Sequence, residues 1–231
     1  MTKIALVMVC KRPVLGKGKQ RLVARLGIGK TQQIASALLA CALEDACEWP
    51  DPVVIAPAEA SDSEWAQALA AVIPSPVIIA PQVAGNLGQR LNALDQTLRA
   101  QGMKQFAFIG SDAPGLTTAD YLAARVALQH SDVALIPALD GGVVLMANRC
   151  AWPDLSTLPW SSGQLGIALK NVCHRAGLSV ATLKQNYDVD ELHDVMKLPS
   201  LLQQDVRPAR RALLELVTTL PSFTSLPANN A

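Results

Sequence analysis

The sequence predicts an α/β protein in three layers, α/β/α, around a mostly parallel sheet, and three observations carry that expectation. Short apolar runs rich in β-branched residues alternate with segments of helical periodicity along nearly the whole chain, the pattern of crossover connections between parallel strands. Half of the 231 residues are apolar and only 17% are charged, enough to bury one large core in a single domain. The turns after several apolar runs carry glycines and carboxylates, and ligands of open α/β sheets gather at the carboxyl ends of the strands.

The first strand is expected over 4–10, where an apolar run empties into the basic loop KRPVLGKGKQRL at 11–22. A helix over 31–49 follows, with Ile34, Leu38, Cys41, Leu43 and Cys47 at helical spacing, Thr31 as its cap and Pro50 as its stop. After a strand at 52–56, Ser61 and Glu64 have the spacing of a capping box for a helix over 61–72, with Trp65 and Leu69 on one face. A strand at 77–80 precedes a helix over 87–101, capped by Asn86, striped by Leu87, Leu91, Leu94 and Leu98, and stopped by Gly102. The alternation continues with a strand at 105–109, a helix at 118–130, strands at 133–137 and 143–147, a helix at 162–176 and a strand at 179–183. Residues 191–198 read as a helical segment. A last helix over 208–220 starts at Pro208, exposes Arg210 and Arg211, and turns Leu213, Leu214, Leu216 and Val217 inward. The chain thus divides into a globular domain over 1–198, a C-terminal helical extension over 199–220 and a flexible tail over 221–231. The extension has the pattern to pack on the sheet or on a second copy of the chain, as in a homodimer.

Composition narrows the partners. A formal charge of +1 argues against a nucleic-acid backbone, which calls for a basic face over a whole domain. No apolar run approaches the roughly 18 residues of a membrane helix. The run at 4–10 resembles a signal peptide only superficially, because Lys11-Arg12-Pro13 closes it without a small-residue cleavage site. Cys10, Cys41, Cys47, Cys150 and Cys173 form no CxxC pair and read as reduced residues of a cytoplasmic protein.

Charge is nevertheless concentrated. Lys11, Arg12, Lys17, Lys19, Arg21, Arg25 and Lys30 all precede the first acidic residue, Glu44. A buried strand that ends in a glycine-containing cationic loop offers backbone N–H groups and positive side chains together, which is chemistry for phosphate. Three carboxylate-bearing turns fall at strand ends: Gly110-Ser111-Asp112-Ala113-Pro114, Asp140-Gly141-Gly142 and Asp188-Val189-Asp190. A magnesium or manganese ion between carboxylates and phosphate oxygens reconciles those turns with the basic loop. Each feature has a plainer reading beside it. Asp112 suits an Asx turn before Pro114, Asp140-Gly141 a hairpin turn, and Asp190 a charge at a helix N-terminus. Gly27-Ile28-Gly29-Lys30-Thr31 is not a P-loop, since Ala24 stands where the first glycine belongs. His130, His174 and His193 have no ligand spacing.

The ordered set KRPVLGKGKQRL, GSDAPGLT, PALDGG, Trp160-Ser161-Ser162 and DVDELHDVMKL resembles a bacterial family of glycosyltransferase-A-fold nucleotide-diphospho-sugar transferases, some linked by name to arsenosugar biosynthesis. The architecture also resembles that of nucleotidyltransferases that load small phosphorylated acceptors. The resemblance covers about residues 1–198, and it implies a nucleotide held by Lys11, Pro13, Gly16, Lys17, Lys19, Arg21, Gly88 and Arg90. It further implies a metal ion on Asp112 and Asp190, and a second substrate at Asp140, Gly141, Gly142, Trp160 and Ser161, with Asp140 and Lys19 as the catalytic pair. Gln20 stands where the family has Thr, and Val143 and Val144 where it has an aromatic pair. Asp190 and Asp194 keep the acidic positions of the closing motif with different residues between them. Three functions remain open on these grounds: glycosyl transfer from a nucleotide-sugar, nucleotidyl transfer from an NTP, and nucleotide or sugar binding without turnover.

Overall fold

The structure is a computed structural model that describes residues 3–220; the tail expected at 221–231 lies outside the described residues. The strands are β1 (Ile4–Cys10), β2 (Val53–Pro57), β3 (Val77–Ile79), β4 (Gln105–Ile109), β5 (Val133–Pro137), β6 (Val143–Asn148) and β7 (Val180–Thr182). The helices are α1 (Gln20–Leu26), α2 (Ile28–Glu48), α3 (Ser63–Ala70), α4 (Leu87–Ala100), α5 (Thr118–His130), α6 (Leu165–Arg175), α7 (Leu192–Leu202) and α8 (Pro208–Thr218). The seven strands form one sheet in the order β3-β2-β1-β4-β6-β5-β7. Only β6 runs against its neighbours, pairing antiparallel with both β4 and β5. Two reversals leave β5 parallel to β4. The carboxyl ends of β1, β4 and β5 therefore open on one edge of the sheet, and that geometry makes the site.

The layers follow from the alternation of side chains along each strand. Ile4, Leu6, Met8 and Cys10 of β1 enter a core built with Leu39, Ala42 and Ala46 of α2 and Tyr121, Ala124 and Leu128 of α5. Ala5 and Val7 enter the opposite core with Leu91, Leu94 and Leu98 of α4 and Leu169 and Cys173 of α6. Because α2 is also apolar on its outer side, a third cluster forms there. Ile34, Leu38 and Cys41 meet Leu22 of α1, Val195, Leu198 and Leu202 of α7, and Leu213 and Val217 of α8. Helix α8 thus packs on α2 and α7, not on the sheet as one expectation had it. The boundary placed at 198 falls within α7, whose two halves share this cluster.

Local starts and stops departed from expectation in three places. Helix α2 begins at Ile28, with Gly27 at its N-cap, so Thr31 is buried in its first turn and is not a cap; its hydroxyl has no hydrogen-bond partner among the described residues. The capping box assigned to Ser61 and Glu64 is absent. Residues Ala60–Asp62 form a 3-10 turn, α3 starts at Ser63, and no side chain caps it. Residues 20–22, expected as the end of the basic loop, form α1 together with 23–26. By contrast the box at Asn86 forms with Gln89 as its reciprocal partner. Among the described residues no helix is long and apolar enough to cross a membrane.

Candidate functional site

A cleft of about 790 Å³ opens at the carboxyl edge of the sheet, within the size range of small-molecule sites. Lys11, Arg12, Pro13, Lys17, Lys19 and Arg21 line it from the segment after β1, Asp112 from the turn after β4, and Asp140 and Gly142 from the β5–β6 hairpin. Asp188 and Asp190 line it from the chain after β7. Backbone bonds tie that last segment into place: Asn186 N–H donates to the Pro137 carbonyl at 2.9 Å and Val189 N–H to the Asp112 carbonyl at 2.9 Å. Val189 is fully buried in the outer core, so the period-2 alternation of extended chain turns Asp188 and Asp190 together toward the cleft. Gly110 leaves room for the carboxylate of Asp112, since a Cβ there would stand 2.6 Å from its Oδ1.

Lys19 joins the basic segment to the carboxylates. Its ammonium lies 3.4 Å from Asp112 Oδ2 and 3.2 Å from Asp190 Oδ1 and donates to the Val189 carbonyl. Burial works against the charge of Lys19, but Asp112 and Asp190 outweigh it and raise the affinity of the amine for its proton. The residue sits at the N-cap of α1 with φ 41° and ψ 46°, left-handed backbone that costs a non-glycine residue about 1–2 kcal/mol. Lys19 and Ser161 are the two non-glycine residues with positive φ among those described, and both line the cleft. Strain of this kind concentrates where function over-determines the backbone.

Asp188, read from the sequence only as part of the Asp188-Val189-Asp190 turn and given no role, also lines the cleft. Burial, followed by the charges of Asp112, Asp140 and Asp190, pushes its carboxyl up to about 7. Around Lys19 itself, Asp112, Asp188 and Asp190 bring more carboxylate than its one ammonium neutralises. That surplus of hard oxygen donors fits a magnesium or manganese ion. Among the described residues, no three His, Cys, Asp or Glu side chains gather closely enough to enclose a metal alone. Two carboxylates completed by substrate oxygens and water is the arrangement magnesium commonly takes.

The other expected residues divide. Arg90 lines the cleft and its Nε donates to the Gly85 carbonyl at 2.8 Å. Trp160 and Ser161 line it too, the indole fixed by a 2.9 Å bond from Nε1 to the Leu155 carbonyl. Arg21 pairs with Glu191 at 3.1 Å. Asp140 accepts from Gly142 N–H at 2.8 Å, so its carboxylate holds the hairpin turn while facing the cleft. Gly16, Gly88 and Gly141, expected at the ligand, are not among the lining residues. Gly88 is buried against the loop that carries Trp160, where a Cβ would fall 2.0 Å from the Leu155 carbonyl oxygen. Gly141 has φ 89° and lies under Gly163, whose carbonyl oxygen a Cβ would meet at 2.0 Å. Gly16 shapes the basic turn at φ 74°. Arg12, paired with Asp62 at 3.7 Å, and Gln82, whose Nε2 donates to the Ala56 carbonyl at 2.7 Å, line the cleft without having been assigned to it.

The turn that bears Asp112 is also held from behind. Arg210, expected on the surface, is fully buried. Its guanidinium donates to the Pro114 and Leu116 carbonyls at 3.3 and 3.4 Å, to both oxygens of Asp45 at 2.7 Å and to Glu44 at 2.9 Å. Arg207 reaches Asp45 at 2.8 Å and the Leu116 carbonyl at 2.9 Å, and Tyr121 donates its hydroxyl to Asp45 at 2.9 Å.

Comparison with known proteins bears on the fold that carries this cleft. Residues 38–162, more than half of the chain, match the family model described as "Uncharacterized protein conserved in bacteria (DUF2064)". No curated protein matches the chain. A solved structure from Desulfovibrio desulfuricans G20, named a "putative nucleotide-diphospho-sugar transferase", superposes with a TM-score of 0.81 at 24% identity, covering 94% of this chain and 98% of that one. A cytidylyltransferase from Leptospira borgpetersenii superposes at 0.55 with 11% identity, over 94% of each chain. A 4-diphosphocytidyl-2C-methyl-D-erythritol synthase from Anaerococcus prevotii superposes at 0.54 with 11% identity, over 87% of this chain and 99% of that one. At these identities the likeness establishes the fold, which is of the nucleotide-diphospho-sugar transferase, glycosyltransferase-A type.

Proposed function

We propose that this chain, which belongs to the DUF2064 family, is a metal-dependent transferase that uses a nucleotide-activated donor. The favoured reaction is glycosyl transfer from a nucleotide-diphospho-sugar to a small acceptor. One observation carries the proposal: the cationic segment after β1 and the Asp112 carboxylate face a common cleft. Solved proteins of similar fold are named as a putative nucleotide-diphospho-sugar transferase and a cytidylyltransferase, and support it as architecture. In this reading Lys11, Lys17, Arg21 and Arg90 take the diphosphate, and Asp112 and Asp190 hold a magnesium or manganese ion. When bound, the ion supplies positive charge against the charge that develops on the leaving phosphate. Lys19 adds a second positive charge beside the phosphates. Asp140 presents its free carboxylate oxygen to the acceptor hydroxyl and removes its proton. Gly142, Trp160 and Ser161 wall the acceptor, and Val143 and Val144 present an aliphatic surface in place of a sugar-stacking aromatic pair. A reducing cytoplasmic setting agrees with five cysteines that are all free thiols.

A second reading, nucleotidyl transfer from an NTP to a phosphorylated acceptor, draws support from Arg12 at the same cleft as the other five cations, more positive charge than one diphosphate requires. A phosphate acceptor is already ionised and needs no base. Asp140→Asn separates the two, since it nearly abolishes a base-assisted glycosyl transfer and only weakens a nucleotidyl transfer. The first experiment is a thermal-shift screen of nucleotide-sugars and nucleoside di- and triphosphates with and without Mn2+, because a selective ligand stabilises the folded state by mass action. Product analysis follows: release of nucleoside diphosphate supports glycosyl transfer, and pyrophosphate the second reading. Stabilisation by a nucleotide with no turnover of any donor would leave a binding protein, and no response to any nucleotide would sink the proposal.

A further inference from the structure

We propose that Lys19 is a resident counter-ion that competes with the divalent ion for Asp112 and Asp190, so that the ion settles in the cleft only when a phosphate draws the ammonium away. The inference rests on the reading above that these two carboxylates hold the ion. An ammonium group has three N–H donors, and Lys19 directs all three inward, to Asp112 Oδ2, Asp190 Oδ1 and the Val189 carbonyl. Its side chain is only 16% exposed. In this arrangement no donor is left for a phosphate oxygen, which sets Lys19 apart from Lys11 and Lys17. Those two are exposed and, among the described residues, make no ion pair.

A cation seated on the same two carboxylates meets the ammonium across shared oxygens, and like charges at that range repel strongly where water is partly excluded. A phosphate resolves the conflict. It offers charged acceptor oxygens that replace the carboxylates as partners of Lys19 and donates further oxygens to the ion. Metal and nucleotide then strengthen each other's binding, and the coupling is reciprocal.

The test measures Mn2+ binding to the full chain by electron paramagnetic resonance of the free ion, without nucleotide, for the wild type and Lys19→Met. Lys19→Gly, which also suits the positive φ, is the second variant if the first does not fold. Removal of the ammonium is expected to tighten Mn2+ by about tenfold or more, within the usual range of such couplings. Adding a nucleoside diphosphate should tighten Mn2+ in the wild type by a larger factor than in the variant, and Asp112→Asn placed on Lys19→Met should remove the gain. Equal or weaker Mn2+ affinity in both folded Lys19 variants overturns the inference while leaving the carboxylates as metal ligands. Absence of Mn2+ binding in every protein, with and without the diphosphate, overturns the metal assignment as well.

Discussion

The turn at 110–117 is gripped by a cation on each side, and the two grips are built from the same chemistry in opposite surroundings. On the cleft side Lys19 holds the side chain of Asp112 through one long contact, on left-handed backbone, beside a carboxyl at Asp188 that burial, and then its acidic neighbours, push up to about 7. On the rear side Arg210 and Arg207 hold the backbone of Pro114 and Leu116 while Asp45 receives both guanidinium groups and the Tyr121 hydroxyl. Neither Arg210 nor the Asp45 carboxylate meets solvent appreciably. The rear cluster is saturated and dry, so it can only be broken. The front cluster is partly open to water, so its contacts can be exchanged for a ligand. The difference is one between a strut and a switchable contact, set by burial rather than by residue type.

The sharpest way to break the comparison is to remove the rear cation. Arg210→Met leaves Asp45 buried with its main partner gone and should lower unfolding free energy by about 3–5 kcal/mol, measured by urea denaturation. Removal of the front cation should behave oppositely. Lys19→Gly is expected to leave stability within about 1 kcal/mol, because glycine relieves the left-handed strain while the half-exposed pairs to Asp112 and Asp190 are lost. It should weaken nucleotide binding in the presence of Mn2+ by about 1.5–3 kcal/mol, the worth of a charge-assisted hydrogen bond, read by calorimetry. Unchanged nucleotide affinity would take Lys19 out of the site.

Titration sharpens the rear half of the comparison. Burial pushes the Asp45 carboxyl from 3.8 up to about 6, against the pull of Arg210 and Arg207. The folded chain therefore takes up a proton between about pH 4 and 6 that the unfolded chain does not, and the contribution of this group to stability falls as pH rises through that window and levels off above it. The slope is at most roughly 1.4 kcal/mol per pH unit, and an Asp45→Asn variant should lack it in unfolding curves recorded from pH 4 to 7. The smallest effect is expected from Tyr121→Phe, which removes one of several donors to Asp45 and should cost about 1 kcal/mol without changing Mn2+ binding. A loss of Mn2+ affinity in that variant would show that the two grips are not independent.

Much of the front site was legible. Lys19, Asp112, Asp140 and Asp190 are all polar groups just beyond apolar runs, and in an α/β sheet that position alone brings distant segments to one edge. Asp188 was harder, because its exposure depends on Val189 being drawn into the outer core between two carboxylates. Arg210 was misplaced for a related reason. It shares the i, i+3, i+7 stripe of Leu213 and Val217, which was the available signal, but a guanidinium goes inside only if partners wait there. Glu44, Asp45 and the carbonyls of Cys41, Pro114 and Leu116 come from other elements. Gly88 and Gly141 looked like ligand glycines, yet the chain needs them where two loops touch, a fact of packing and not of local pattern.

By itself the sequence determined the alternation of strands and helices, the sheet faces and the edge where charged turns collect, because side-chain periodicity and strand-end chemistry are local properties of the chain. Only the tertiary structure decided which charges are held dry and which are open to exchange, since water exclusion around a side chain is a property of every element packed against it.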